Sequence, residues 1–162
     1  MLLARFWLSL FGVGYLKPGP GTWGSIAATL FWWSSLSSLG MVSQLFIFFT
    51  VTLLSTWICS NFLRDSGLED ESWIVVDEFA AMLFILAFIP RHVLLVLLAL
   101  SMFRLFDIWK PWLVGLVDRK IHGGVGVMLD DLIAALFVLA IILPLIQVVP
   151  EGLILSTYGL SQ

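Results

Sequence analysis

A predominantly apolar stretch over residues 41–62 most constrains how this chain can fold. The stretch contains no charged residue, and as an α-helix it would extend about 33 Å, enough to cross the ~30 Å hydrocarbon core of a membrane. The rest of the chain has the same character, because 60% of its residues are hydrophobic and only 12% are charged, against roughly 25% in soluble domains. The sequence therefore predicts an integral membrane protein.

Further apolar stretches complete an all-α prediction. Strands are excluded because apolar and polar residues rarely alternate and an open sheet edge cannot face lipid. We predict a multihelical integral membrane bundle and a single domain over residues 1–162, in which residues 1–16 could form an interfacial helix. About five membrane-embedded helices are expected, at roughly 24–39, 41–62, 73–89, 92–109 and 130–149.

Three polar clusters interrupt the apolar sequence, at residues 20–25, 75–78 and 103–131. Two apolar segments separate each cluster from the next, so all three should fall on one side of the membrane. Seven of the eight Lys and Arg residues fall on that side as well, and Arg91 alone is opposite. Because basic residues are retained on the inner side, the sequence predicts that the three clusters face the cytoplasm.

Six carboxylates belong to these clusters: Asp77, Glu78, Asp107, Asp118, Asp130 and Asp131. The pairs 77–78 and 130–131 each precede an apolar run, so either pair alone could simply cap a helix N-terminus. Grouping all six like charges on one face without a counter-ion would be costly. Carboxylate oxygens are ligands that Mg²⁺ and Mn²⁺ prefer, so the set predicts a divalent metal site.

Basic residues near the carboxylates favour an anionic ligand beside that metal. Arg104, Asp107 and Lys110 recur at three-residue spacing, which places them on one broad face of a helix. Pro111 should end this helix, because proline disfavours helical geometry in the residue before it. The alternative interpretation is a salt-bridged loop between two hydrophobic helices, since loops carry most of the charge in proteins.

The segment 17–25 contains two prolines and three glycines, which predicts a loop. This loop could present backbone N–H groups and the hydroxyls of Thr22 and Ser25 to an anion. A helix that opens at Gly24 or Ser25 would add the partial positive charge of its N-terminus. An ordinary turn is the alternative interpretation.

Four motifs stand in the three clusters: Pro20-Gly-Thr-Trp-Gly-Ser25, Val76-Asp77-Glu78, Phe103-Arg-Leu-Phe-Asp-Ile-Trp-Lys-Pro111 and Gly124-Val-Gly-Val-Met-Leu-Asp-Asp131. Together they resemble the bacterial phosphatidylglycerophosphatase A family, in its order and approximate spacing. The resemblance implies a Mg²⁺-dependent, multi-pass enzyme of the bacterial inner membrane. Such an enzyme removes the terminal phosphate of phosphatidylglycerophosphate in the bilayer and leaves phosphatidylglycerol.

The residue patterns and the resemblance together define an expected site. Catalytic roles are expected for Asp77, Glu78, Asp107 and Lys110. Phosphate binding is expected at Thr22, Gly24, Ser25, Arg104 and Lys110. Metal binding is expected from a subset of Asp77, Glu78, Asp107, Asp130 and Asp131. Asp118 and Asp70 are further candidate site residues without an assigned role.

Other functions predict different charge distributions. The net charge is only −3 and no basic patch is present, which argues against a nucleic-acid partner. A non-enzymatic membrane scaffold or a small ion transporter is the alternative function. A transporter would place its carboxylates near mid-membrane with access from both sides, whereas here the acids cluster on one side. The sequence thus favours a lipid phosphatase whose active site faces the cytoplasm, and it leaves the oligomeric state open.

Overall fold

The computed structural model describes residues 1–68, 71–111 and 113–148, and within these ranges the chain forms helices and no strand. In chain order the α-helices are α1 (Leu2–Leu8), α2 (Pro20–Phe31), α3 (Met41–Ser66), α4 (Val76–Leu86), α5 (Val93–Trp109), α6 (Leu113–Lys120) and α7 (Gly123–Val148). A 3₁₀ turn at Val13–Tyr15 follows α1, and a π-helical turn at Trp32–Leu36 continues α2. The all-α prediction is therefore confirmed.

Helix α4 occupies the centre of the bundle. It packs against α2, α3, α5 and α7, and most of its residues are buried. Ala80 and Ala81 are fully buried, and their small side chains let the neighbouring helices approach closely. Because α4 begins at Val76, the carboxylates of Asp77 and Glu78 lie in its first turn and are held among the surrounding helices.

The outer surface of the bundle is strongly apolar. Phe46, Leu53 and Trp57 of α3 are each about two thirds exposed or more, as are Leu94 and Ile108 of α5. Soluble monomers rarely expose apolar patches of this extent. Two helices in the described ranges, α3 and α7, are long and apolar enough to cross a membrane. Five membrane-embedded helices therefore stay a prediction.

The prediction of a loop over residues 17–25 is wrong for its second half, where α2 begins at Pro20. Gly19 precedes the helix in the left-handed conformation, with φ 67°, which glycine adopts without steric cost. Pro20 fits the first helical position because its φ is already helical and its missing N–H would have no intrahelical partner there. Helix α2 thus starts four residues earlier than the predicted helix 24–39.

The interval left between the predicted helices 92–109 and 130–149 is also largely helical, because α6 lies within it and α7 starts at Gly123 rather than at residue 130. A Cβ on Gly124 would collide with the backbone N of Ser60 in α3. Gly124 therefore permits close packing of α7 on α3 instead of forming part of a loop. As a consequence, Asp130 and Asp131 lie two turns inside α7, not at its start.

The remaining helix boundaries agree to different degrees with those predicted from the sequence. Helix α5 matches the predicted span 92–109, and α3 extends the predicted span 41–62 to Ser66. Helix α4 is shorter than the predicted 73–89. Residues 1–16 do not form one helix, because Leu10 and Phe11 have positive φ values and interrupt it after α1.

Candidate active site

One end of the bundle contains a polar cavity of about 230 Å³. The starts of α2 and α4, the end of α5 and the first half of α7 meet there, so residues of all three polar clusters contribute to its wall. Its charged lining residues are Glu71, Asp77, Glu78, Arg104, Asp107, Lys110, Asp130 and Asp131. The structure thus brings together most of the residues that the sequence predicted for the site.

Three carboxylates at this cavity form a compact group. One carboxylate oxygen from each of Asp77, Glu78 and Asp131 lies within 4.8 Å of the other two. Asp131 is only 3% exposed, and within the described ranges Glu78 Oε2 and Asp131 Oδ2 have no hydrogen-bond partner. Buried like charges at this distance repel one another unless a cation or a proton is shared. The group therefore has the ligand chemistry and spacing to hold a divalent cation such as Mg²⁺.

Arg104 lies beside the carboxylate group. Its Nη1 is 2.6 Å from Asp107 Oδ2 and 3.6 Å from Glu78 Oε1. Arg104 and Asp107 share one face of α5, as their spacing predicted. Arg104 Nε is buried and has no hydrogen-bond partner in the part of the chain described here. A guanidinium presents five donors, so Arg104 can bind a phosphate while it stays oriented by Asp107.

Lys110 reaches the same cavity from the end of α5. Helix α5 ends at Trp109, so Lys110 does not share a helical face with Arg104 and Asp107 as its spacing predicted. Lys110 instead adopts a left-handed conformation with φ 45°, which is uncommon for a residue other than glycine. Its Nζ lies 3.0 Å from Asp130 Oδ2. Asp130 Oδ1 in turn accepts a hydrogen bond of 3.0 Å from the backbone N–H of Asp131. The lysine is therefore positioned by α7 rather than by the face of α5.

The residues predicted to bind phosphate from the segment 20–25 do not line the cavity. Ser25 is fully buried, and its hydroxyl donates to the carbonyl of Gly21 at 2.9 Å. Gly24 packs against the backbone of Val75, whose carbonyl oxygen would lie 2.9 Å from an added Cβ. Thr22 is half-buried and is not among the lining residues. The early start of α2 explains this, because it moves positions 24 and 25 into the helix body.

Gly19, Pro20 and Gly21 line the cavity instead. A Cβ on Gly21 would collide with Glu78 Oε1 and would lie 2.8 Å from Arg104 Nη1. Only glycine therefore fits at position 21 without displacing these two charged groups. Gly21 was not predicted as a site residue, although it belongs to the Pro20–Ser25 motif.

Glu71 and Ser72 also line the cavity and were not predicted. Glu71 and Ser72 come directly before the apolar segment that leads to Asp77. This position is the one sequence signal that could have indicated them. Asp70 lies outside the described residues, and so does the side chain of Asp118 in α6. The candidate roles of these two acids stay predictions.

Comparisons with known proteins identify relatives over most of the chain. A family model described as Phosphatidylglycerophosphatase A matches residues 6–146. A Phosphatidylglycerophosphatase A from Haemophilus influenzae is 38% identical over 135 residues, which cover 82% of each chain. The Escherichia coli protein of the same name is 34% identical over 125 residues, covering 76% of this chain and 72% of the relative.

The name of a third relative refers to a different lipid head group. The Bacteroides thetaiotaomicron protein is 33% identical over 133 residues, covering 78% of this chain and 83% of the relative, and its name marks it as a candidate phosphatidylinositol-3-phosphatase. No solved structure matches the chain. The family match, together with two namesakes that align over most of their length, establishes that this chain belongs to the phosphatidylglycerophosphatase A family of phosphoric monoester hydrolases.

Proposed function

We propose that the protein hydrolyses the terminal phosphate monoester of phosphatidylglycerophosphate at the cytoplasmic face of a bacterial inner membrane, and that it requires Mg²⁺. The observation that carries this proposal is the grouping of Asp77, Glu78 and Asp131 beside Arg104 in one cavity. A phosphate monoester dianion needs its charge neutralised before a nucleophile can approach, and this cavity combines cation ligands with basic groups.

Mg²⁺ is the metal that best fits the carboxylate group. Asp77, Glu78 and Asp131 would hold it, because their oxygens converge and hard oxygen ligands suit this ion. Asp107 and Asp130 lie at the same cavity but pair with Arg104 and Lys110. These two acids therefore serve to orient the bases. When bound, Mg²⁺ would supply positive charge to the phosphate oxygens and to a water molecule beside them.

Residues of this chain then bind the phosphate and orient the attacking water. Arg104 and Lys110 bind the phosphate oxygens, and the start of α2 at the cavity favours an anion through the helix dipole. A carboxylate, Asp77 or Glu78, orients the water that attacks phosphorus. The bond between phosphorus and the glycerol oxygen breaks, which releases orthophosphate and leaves phosphatidylglycerol. Preorganised charges of this kind supply the largest share of many rate enhancements.

The apolar exterior supports a membrane location for this reaction. Exposed hydrophobic side chains on α3 and α5 suit contact with acyl chains, while the polar cavity lies at one end of the bundle. A phosphate on a lipid head group could then enter the cavity while its acyl chains stay in the bilayer. The family assignment favours this enzymatic function over the alternatives of a scaffold or an ion transporter.

Phosphate release from a panel of lipid phosphates tests the proposed function. Purified protein in detergent should release orthophosphate from phosphatidylglycerophosphate, faster than from phosphatidic acid or phosphatidylinositol 3-phosphate. EDTA should abolish the reaction and added Mg²⁺ should restore it. The Escherichia coli relative, assayed in the same detergent, is the positive control. If that control is active and this protein releases no phosphate, the proposal is wrong.

Cysteine labelling tests the orientation. Cys59 is the only cysteine of the chain and is fully buried, so wild-type protein should not react. Lys17 and Ser38 are exposed and flank α2 with its π-helical continuation. In intact cells an impermeant thiol reagent should label Ser38→Cys and leave Lys17→Cys unmodified, and both should react after lysis. External labelling of Lys17→Cys would contradict a cytoplasmic active site.

A further inference from the structure

A second cavity adjoins the candidate active site. It has a volume of about 660 Å³ and lies between the end of α3 and the start of α7. Its polar lining residues are Ser60, Arg64, His122 and Asp130. Asp130 also lines the catalytic cavity, so a single side chain forms part of the wall of both. A ligand that extends past Asp130 could therefore occupy the two cavities at once.

The two cavities differ in charge. The catalytic cavity is lined by six carboxylates and two basic side chains. The second cavity has one carboxylate, Asp130, together with the guanidinium of Arg64 and the imidazole of His122. A doubly charged monoester therefore suits the first cavity with its cation, whereas the second cavity suits an anion of lower charge that a single guanidinium can neutralise.

We infer that the second cavity binds the phosphodiester of the lipid head group, with Arg64 as its main contact. This inference rests on the proposed function, because the substrate of that reaction carries a monoester at one end of its glycerol and a diester at the other. The monoester lies in the catalytic cavity, the glycerol hydroxyl donates to Asp130 between the cavities, and the diester contacts Arg64. The distance between the two anion-binding positions thereby selects lipids whose head group has the matching length.

The guanidinium of Arg64 has enough N–H donors to make this contact in addition to its present ones. Its Nη2 donates to Asn61 Oδ1 at 2.6 Å, and its Nε lies 3.5 Å from Asp65 Oδ1. The side chains of Arg64 and Asp65 are mostly exposed, and exposed ion pairs contribute little stability. Since a guanidinium has five N–H donors, Arg64 can bind a phosphodiester oxygen while it keeps the bond to Asn61.

The experiment compares Arg64→Gln with Lys120→Gln in the full chain, using phosphatidylglycerophosphate in detergent micelles with Mg²⁺. Lys120 is exposed and is not among the residues that line either cavity, so its replacement controls for general attraction of an anionic lipid. Arg64→Gln should raise KM about tenfold, the loss expected for one charge-assisted hydrogen bond, and should lower kcat much less. Lys120→Gln should change neither constant by more than about twofold.

Inhibition by orthophosphate provides a second readout. Orthophosphate can occupy the catalytic cavity alone, so its inhibition constant should be the same in Arg64→Gln and in wild type. An unchanged KM in Arg64→Gln, or an equal rise in Lys120→Gln, would overturn the inference while the proposed function stands. Absence of turnover in the wild-type protein would instead refute the proposed function, and the diester subsite with it.

Discussion

Asp131→Asn is expected to abolish phosphate release, lowering kcat by about 10³-fold. Asparagine keeps the size and shape of the side chain but removes the charge of the most deeply buried acid in the carboxylate group. With only Asp77 and Glu78 left as anionic ligands, Mg²⁺ should bind more weakly. Steady-state kinetics with phosphatidylglycerophosphate over a range of Mg²⁺ concentrations measures both effects.

Thermal unfolding separates loss of metal binding from loss of structure. Mg²⁺ should raise the Tm of the wild-type protein, because a ligand that binds only the folded state stabilises it, and this rise should be lost in Asp131→Asn. In EDTA the variant should be at least as stable as wild type, since one of three repelling carboxylates is gone. Asp65→Asn, which neutralises an exposed acid, should behave like wild type. A full Mg²⁺-dependent rise of Tm in Asp131→Asn would contradict a ligand role.

Gly21→Ala is expected to reduce kcat by about 10²-fold, the loss typical of displacing catalytic groups by about 1 Å. The added methyl group would occupy the space of Glu78 Oε1 and press against Arg104 Nη1. Both groups would have to move, which would disturb the proposed metal ligand Glu78 and the proposed phosphate-binding base Arg104 together. Helix α2 itself should tolerate the change, because alanine has a higher helix propensity than glycine.

Gly40→Ala is the matched control for this variant. Gly40 has an ordinary φ of −62°, and nothing lies within 4 Å of a Cβ built there. The same chemical change at position 40 should leave kcat and KM unaffected. Circular dichroism should give equal helix content for both variants and the wild-type protein. Near-normal turnover by Gly21→Ala would show that close contact at this position is not required for the reaction.

The sequence by itself determined the fold class and the chemical character of the site. Apolar stretches without alternation favour helices over strands, because a helix satisfies its backbone hydrogen bonds within one segment. The positions of Asp77, Glu78, Arg104 and Asp107 in polar clusters indicated where acids and bases would meet. These conclusions depend on local composition and on short-range spacing, and the amino-acid sequence gives both directly.

Only the tertiary structure decided whether the glycine-rich segments form loops or helices. Proline and glycine disfavour helices locally, so residues 17–25 were predicted as a loop, and the last helix was predicted to begin only at residue 130, after the glycines at 123, 124 and 126. In the folded chain the close packing of α7 on α3 at Gly124, and the contact of Gly21 with Glu78, outweigh that local preference. Propensity is a weak prior that packing commonly overrides.

The division of roles within the site also required the folded structure. Sequence spacing could not reveal that Lys110 pairs with Asp130, twenty positions away, or that Asp131 rather than Asp107 joins Asp77 and Glu78. These contacts connect separate helices, and their distances are set by how α4, α5 and α7 pack. The chain therefore specifies which charged groups are present, and the packing of the bundle decides which of them can share a cation and which can hold a phosphate.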